Sequence, residues 1–190
     1  MPPELILASG SPRRHELLGK LGVPFEVITT DVEEVMDPAK VNIKTMAGHN
    51  AALKARAVAK AHPGRWVLGA DTIVVLGERV LGKPPTLEAA REYLASLSGH
   101  VHEVITGCCL IGPQGNVRSL HDTSRVKFRE LSPDLIAKYL AHVHVLDKAG
   151  AYALQERGEW IIERMEGSRA NVIGLPVELL AEVFRRRGLL

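Results

Sequence analysis

The sequence predicts a mixed α/β domain, a twisted sheet of mixed strand direction with flanking helices. Three observations carry that expectation. Short runs rich in valine and leucine alternate with segments of helical periodicity, the middle third is rich in strand-like runs, and no internal repeat, low-complexity tract or long linker breaks the order. With 46% hydrophobic and 24% charged residues among 190, the chain can bury a core unaided, so residues 1–190 are expected to form a single domain, or one domain with two lobes.

Leu5 to Ala8 is a short apolar strand ending at Ser9-Gly10-Ser11-Pro12. Ser11 is placed to cap the next helix, Pro12 suits its first position, and Leu17, Leu18 and Leu21 recur at helical spacing until Gly22 and Pro24 stop them. Phe25 to Ile28 reads as a strand, Asp31 to Lys40 as an acidic loop, and Met46 to Ala61 as an alanine-rich helix closed by Pro63-Gly64. Trp66 to Leu76 is a valine-rich strand whose apolar character is interrupted at Asp71-Thr72, and Gly77-Glu78 turns it into Arg79-Val80-Leu81. Thr86 caps a helix carrying Leu87, Ala90, Tyr93, Leu94 and Leu97, which stops at Ser98-Gly99.

Val101 to Ile111 is a further strand, turned at Pro113-Gln114-Gly115-Asn116 into Val117 to Phe128, with Arg125, Lys127 and Arg129 alternating on the wet face. Ser132-Pro133-Asp134 opens a helix with Leu135, Ile136, Tyr139 and Leu140 as its buried stripe. The glycine-punctuated stretch Asp147 to Gly158 leads to a strand, Trp160 to Ile162. Pro176 to Arg187 is an amphipathic helix, and Arg185-Arg186-Arg187 complements the negative C-terminal end of its dipole.

Several function classes fall away. Lys and Arg total 24 against 22 Asp and Glu, a formal charge of +2, so no global field draws the chain onto nucleic acid or membrane and any anion site must be local. The basic strand at Arg125, Lys127 and Arg129 lacks the interleaved aromatics of a nucleic-acid platform, aromatics being only 4% of the chain. The two cysteines, Cys108 and Cys109, are adjacent and point to opposite faces of a strand, which excludes a disulfide framework and argues against a zinc site with His100 and His102, whose spacing matches no common one. Met1-Pro2-Pro3-Glu4 lacks the basic and apolar regions of a signal peptide, and no apolar run approaches the roughly 18 residues of a membrane span, so the expectation is a cytoplasmic protein with no membrane partner. Neither a P-loop nor a Gly-x-Gly-x-x-Gly fingerprint is present, which argues against a kinase, P-loop ATPase or dinucleotide enzyme.

Chemistry is indicated at two places. Arg13 and Arg14 fall in the first turn of a helix, where cations oppose the dipole at a cost of some fraction of about 1 kcal/mol each. An anion held between them and the free backbone amides would offset that cost, and Gly10 would let it approach closely; the other reading is two solvated arginines paired with Glu16 or another surface carboxylate. Asp71, inside an apolar strand, faces desolvation unless a metal, a catalytic water network, backbone amides or an arginine compensates it. Lys83 before Pro84, and Glu33 or Glu34 in the acidic loop, could supply phosphate and metal contacts.

Leu7-Ala8-Ser9-Gly10-Ser11-Pro12-Arg13-Arg14, Lys54-Ala55, Gly69-Ala70-Asp71-Thr72 and Gly82-Lys83-Pro84 together resemble the Maf nucleotide pyrophosphatases. The distal half continues the resemblance in order through Leu97-Ser98-Gly99 with His102, Thr106-Gly107, Asp147-Lys148-Ala149-Gly150-Ala151-Tyr152 with Gln155, Gly167-Ser168, and Asn171 to Pro176. It implies a fold related to the inosine-triphosphate pyrophosphatases, with two lobes around a cleft, and a divalent metal cofactor, magnesium or manganese. It also implies hydrolysis of nucleoside triphosphates to monophosphate and pyrophosphate by water attack at the α-phosphorus.

Carried over by motif, Asp71 is the proton acceptor, Lys54 and Lys83 are charge-neutralising catalytic groups, and Ser9, Arg13 and Arg14 bind the triphosphate. Glu34 and Asp71 are the expected metal contacts. The Asp-Lys-Ala-Gly-x-Tyr stretch followed by glutamine resembles the branch acting on dTTP and UTP, with Arg13, Thr72 and Gln155 at the specificity positions. A side-chain amide at Gln155 both donates and accepts, which suits a pyrimidine's carbonyl and ring N–H edge. Ala153-Leu154 stands where the family pattern suggests glycine and isoleucine, and Gly82 where an acidic residue is common; both departures leave the charged groups intact. The rival readings are a non-catalytic nucleotide-binding regulator of cell division and a house-cleaning enzyme for modified nucleotides, and a homodimer is left open.

Overall fold

The computed structural model describes residues 4–190, so the reading of the N-terminus at Met1-Pro2-Pro3 lies outside the described residues. The order is β1 (Leu5–Ala8), α1 (Pro12–Gly19), β2 (Phe25–Val27), α2 (Ile43–Ala61), β3 (Trp66–Leu76), β4 (Arg79–Leu81) and α3 (Leu87–Leu97). The chain continues through β5 (Val101–Ile111), β6 (Val117–Phe128), α4 (Pro133–His142), a 3-10 turn (Ala149–Ala151), α5 (Gly158–Ile161), β7 (Ile162–Glu166), α6 (Arg169–Ile173) and α7 (Val177–Arg187). Among the described residues one seven-stranded sheet runs in the order β2-β1-β3-β5-β6-β7, with β4 paired to β3. β1 is parallel to both β2 and β3, whereas β4 on β3 and β7 on β6 are antiparallel, so the sheet is mixed as expected.

The described chain forms two compact units that interleave in sequence. One runs through Asp71 and adds Thr106–Asp122 and Gly174–Leu190; the other comprises Thr72–Ile105 and Thr123–Ile173. In the first, α2 lays Ala51, Ala55 and Val58 over Ile6, Ala8, Val67, Cys109 and Ile111. In the second, Phe128 and Tyr139 are fully enclosed within a cluster that includes Val74, Leu81, Leu94, Val104 and Ile161. Each such aromatic removes on the order of 150 to 250 Å² from water, which makes these rings the main anchors of that core.

Three local expectations are corrected. The Ser11 hydroxyl makes no capping bond to α1; its backbone N–H instead donates to Ser9 Oγ at 3.3 Å, while its carbonyl still accepts from His15 N at 3.1 Å. Helix α2 starts at Ile43, before Met46, because the Asn42 side chain accepts from Lys44 N at 2.9 Å and caps it there. Trp160 is helical, not extended: Arg157 takes a left-handed φ of 56° and opens the short α5, so the strand begins only at Ile162. β7 was hidden in the sequence because Glu163, Arg164 and Glu166 are exposed along it, as a strand at the end of a sheet permits.

Candidate active site

The site in the first unit is built on how closely α2 lies to the sheet. A Cβ on Gly69 of β3 would sit 2.2 Å from the Ala51 carbonyl oxygen, and one on Gly107 of β5 would sit 2.2 Å from Gly48 N. No side chain fits at either place, so glycine there brings backbone against backbone and fixes the helix lengthwise and in rotation. Asn50 and Lys54 lie four residues apart, one turn of the same helix face, and both are aimed at Asp71 of β3.

Asp71 is 4% exposed. Lys54 Nζ donates to Asp71 Oδ1 at 2.9 Å and lies 2.6 Å from Glu34 Oε1, so a single ammonium draws two carboxylates together. The other oxygen, Asp71 Oδ2, accepts from Asn50 Nδ2 at 3.0 Å. The Asn50 amide also accepts from Val35 N at 2.8 Å and donates to Val35 O at 3.0 Å, which pins the acidic loop one residue beyond Glu34. The burial of Asp71 is thus compensated by hydrogen bonds and a paired cation, as its place in an apolar strand requires.

At the start of α1, Ser9 and Arg14 are buried and Arg13 is half-buried. Arg14 donates through Nε to Gly174 O at 2.8 Å and through Nη1 to Ser9 Oγ at 3.2 Å. Burial lowers its pKa from the ordinary guanidinium value, opposed by the negative charge of Asp71 and Glu34. Arg14 thus holds Ser9 and the chain at Gly174, and Arg13 stands beside it in a first turn that holds no acidic residue. Glu16, the expected surface partner, pairs with Lys20 one turn on at 3.1 Å.

Sequence reasoning therefore selected Ser9, Arg14, Glu34, Lys54 and Asp71, which are all held in this unit together with Arg13. It missed Asn50, whose only signal was a buried-side amide one turn before Lys54 in an alanine-rich helix face. Thr72, Lys83 and Gln155 belong to the second unit. Thr72 continues β3 directly after Asp71, Lys83 is exposed in the bend after β4, and Gln155 is exposed in the segment before α5. That segment is braced: Tyr139 Oη accepts from Ala153 N at 3.0 Å, and the buried Lys148 ammonium meets Asp147 at 3.0 Å and Glu156 at 3.4 Å.

Among the described residues no group of three His, Cys, Asp or Glu could hold a metal. Glu34 and Asp71 are hard oxygen donors that both meet the Lys54 ammonium, and two carboxylates is a number that a magnesium-type ion takes when phosphate oxygens complete its shell. The adjacent cysteines are both buried. Burial pushes the Cys108 thiol up to about 12 and raises Cys109 also, so both are held as neutral thiols in the core.

His102 is a core residue of the second unit. Its Nε2 meets Tyr152 Oη at 2.8 Å, its ring stands edge-on to Phe128 and Tyr152, and its buried Nδ1 has no hydrogen-bond partner among the described residues. A second proton would bury a charge, and burial accordingly depresses the pKa from 6.5 to about 4. Between those values the unfolded chain binds a proton that the folded chain refuses, so this contribution is full above pH 6.5 and lost as pH falls toward 4, by up to about 3 kcal/mol. Denaturant unfolding at pH 7 and pH 4.5 should show a smaller stability loss in His102→Gln than in the wild type; an equal loss would place the acid sensitivity elsewhere.

A family model described as Maf-like protein matches residues 4–187. A protein of Akkermansia muciniphila named dTTP/UTP pyrophosphatase is 48% identical over 177 residues, covering 93% of this chain and 93% of the relative. Proteins of the same name are 43% identical in Myxococcus xanthus, covering 97% of this chain and 93% of the relative, and 43% identical in Gloeobacter violaceus, covering 98% and 99%. Among solved structures, the Staphylococcus aureus Ham1 protein matches with a TM-score of 0.57 at 19% identity, over 96% of this chain and 98% of that one. A HAM1 protein from Coxiella burnetii matches with a TM-score of 0.55 at 17% identity, over the same shares of 96% and 98%. At those identities the likeness speaks to the fold, a mixed sheet with flanking helices.

Proposed function

Because the chain belongs to the Maf-like protein family, we propose that it is a nucleoside triphosphate pyrophosphatase that converts dTTP and UTP to the monophosphate and pyrophosphate. The relatives' shared name supports the substrate. The observation that carries the chemistry is the buried Asp71 carboxylate, held at both oxygens and drawn to Glu34 through one lysine. A water attacking the α-phosphorus gives up a proton as its oxygen bonds to phosphorus, and Asp71 is the group assigned to take it. The bond from the α-phosphorus to the bridging oxygen breaks, and pyrophosphate leaves with the electron pair.

Attack on a polyanion also needs its charge neutralised. Lys54 and Lys83 are assigned to this role, and Ser9 and Arg13 to the phosphates, with Arg14 setting the Ser9 hydroxyl. Thr72 and Gln155 are assigned to the pyrimidine. A divalent ion held by Glu34 and Asp71 would supply further positive charge beside the phosphates. Residues 1–190 act as one functional domain in this reading, and no helix among the described residues is long and apolar enough to cross a membrane.

Purified protein given a panel of nucleoside triphosphates with magnesium or manganese should release pyrophosphate and monophosphate from dTTP and UTP ahead of purine nucleotides. Release of orthophosphate and a diphosphate would overturn the assigned cut, and tight binding without turnover would favour a nucleotide-sensing regulator. Arg13→Ala should lower kcat/KM for both pyrimidine nucleotides ten- to a hundredfold, since a charge-assisted contact to phosphate contributes about 1.5 to 3 kcal/mol. Unchanged kinetics in that variant would remove α1 from the phosphate site.

A further inference from the structure

We propose that Asn50 is a positioning residue for hydrolysis, setting the Asp71 carboxylate and the Glu34 loop against each other through one side-chain amide. The proposal rests on the reading of Asp71 as the proton acceptor. Asn50 is fully buried on α2, among the buried Met46, Ala47, Ala51, Ala55 and Val58 of that helix, where a polar group is costly unless satisfied. It is satisfied three times over, by Asp71 Oδ2, Val35 O and Val35 N. The orientation of the amide follows from these partners: the Val35 N–H needs an acceptor, so Oδ1 faces the loop and Nδ2 faces the carboxylate.

Asn50 and Lys54 act as a matched pair one helical turn apart. Lys54 takes Asp71 Oδ1 and Glu34, while Asn50 takes Asp71 Oδ2 and Val35, the next residue of the loop. Between them both carboxylate oxygens and two consecutive loop residues are gripped from a helix locked against the sheet at Gly69 and Gly107. The lysine supplies charge and leaves Asp71 free to turn about a single contact. The amide supplies the second contact, which fixes the plane of the carboxylate and so the direction in which its free lone pairs meet a water. No other side chain of this size both donates to Asp71 and accepts from Val35 N. Aspartate keeps the volume and the acceptor but loses the donors and sets a second carboxylate against Asp71, and leucine keeps the volume, adds no charge and loses everything else.

Misplacement of a catalytic group by about 1 Å costs on the order of 10²-fold in rate. Asn50→Leu and Asn50→Asp should therefore each lower kcat on UTP roughly ten- to a hundredfold. Affinity and stoichiometry for the non-hydrolysable analogue uridine 5′-(α,β-imido)triphosphate, read by calorimetry, should stay within about threefold of wild type and near one site per chain. The stoichiometry counts the folded, binding-competent fraction, so kcat is expressed per competent site, and Asn50→Asp serves where Asn50→Leu does not fold. A wild-type kcat per competent site in the variant that folds, with Asp71→Asn inactive, overturns the role of Asn50 alone. Activity in Asp71→Asn overturns the proton-acceptor reading and the Asn50 proposal with it.

Discussion

Asp71→Asn is expected to lower kcat on dTTP and UTP by at least about 10²-fold, the loss usual when a general base is removed, and to do so with little change in nucleotide affinity. The amide matches the carboxylate in volume but cannot take a proton from water. The hydrogen-bond pattern adds a cost to this substitution. Asp71 accepts from two donors, Lys54 at Oδ1 and Asn50 Nδ2 at Oδ2, and an asparagine offers one oxygen and one NH2 to them. Whichever way the new amide turns, one donor faces another donor, so a drop in unfolding temperature should accompany the loss of rate. Kinetics corrected for the folded fraction separate the two effects, and retention of more than about a tenth of wild-type kcat per folded chain would remove Asp71 from the role of proton acceptor.

Much of this site was legible in the sequence because its residue types were in conflict with their surroundings. A carboxylate within Val67 to Val75 and two arginines at the start of a helix both require a compensating partner, and each conflict marked a residue that now stands in the described site. Long elements with clear caps were read to the residue: Thr86 and Ser132 accept from Ala89 N and Leu135 N at 3.1 Å each, as their positions before α3 and α4 predict. What escaped was set by tertiary partners. Asn50 is an unremarkable helix residue until β3 and the acidic loop arrive on either side of it. β7 lacks the alternation of a half-buried strand because Glu163 and Arg164 are exposed in succession between the half-buried Ile162 and Met165, and the Ser9 hydroxyl, which Arg14 also holds, takes the Ser11 backbone N–H while the Ser11 side chain caps nothing.

The companion substitution is Lys54→Met, which keeps the length of the side chain and deletes its charge. Lys54 is the shared partner of Glu34 and Asp71, at 2.6 and 2.9 Å, with only 11% of its side chain exposed. Removing one member of such a buried group is strongly destabilising, on the order of 3 to 5 kcal/mol, because charge is left uncompensated. Here two carboxylates lose the ammonium they share, while Asn50 still donates to Asp71. Turnover should fall on the order of 10²- to 10³-fold, as for loss of a preorganised group that stabilises transition-state charge. The unfolding temperature of the variant without metal should fall well below wild type, and millimolar magnesium or manganese should raise it more in the variant than in the wild type. In the wild type an incoming divalent ion must displace or share space with the Lys54 ammonium, whereas in the variant that competing charge is gone, and binding to the folded state alone stabilises it. An equal metal-induced shift in both proteins would show that Glu34 and Asp71 are not where the ion binds.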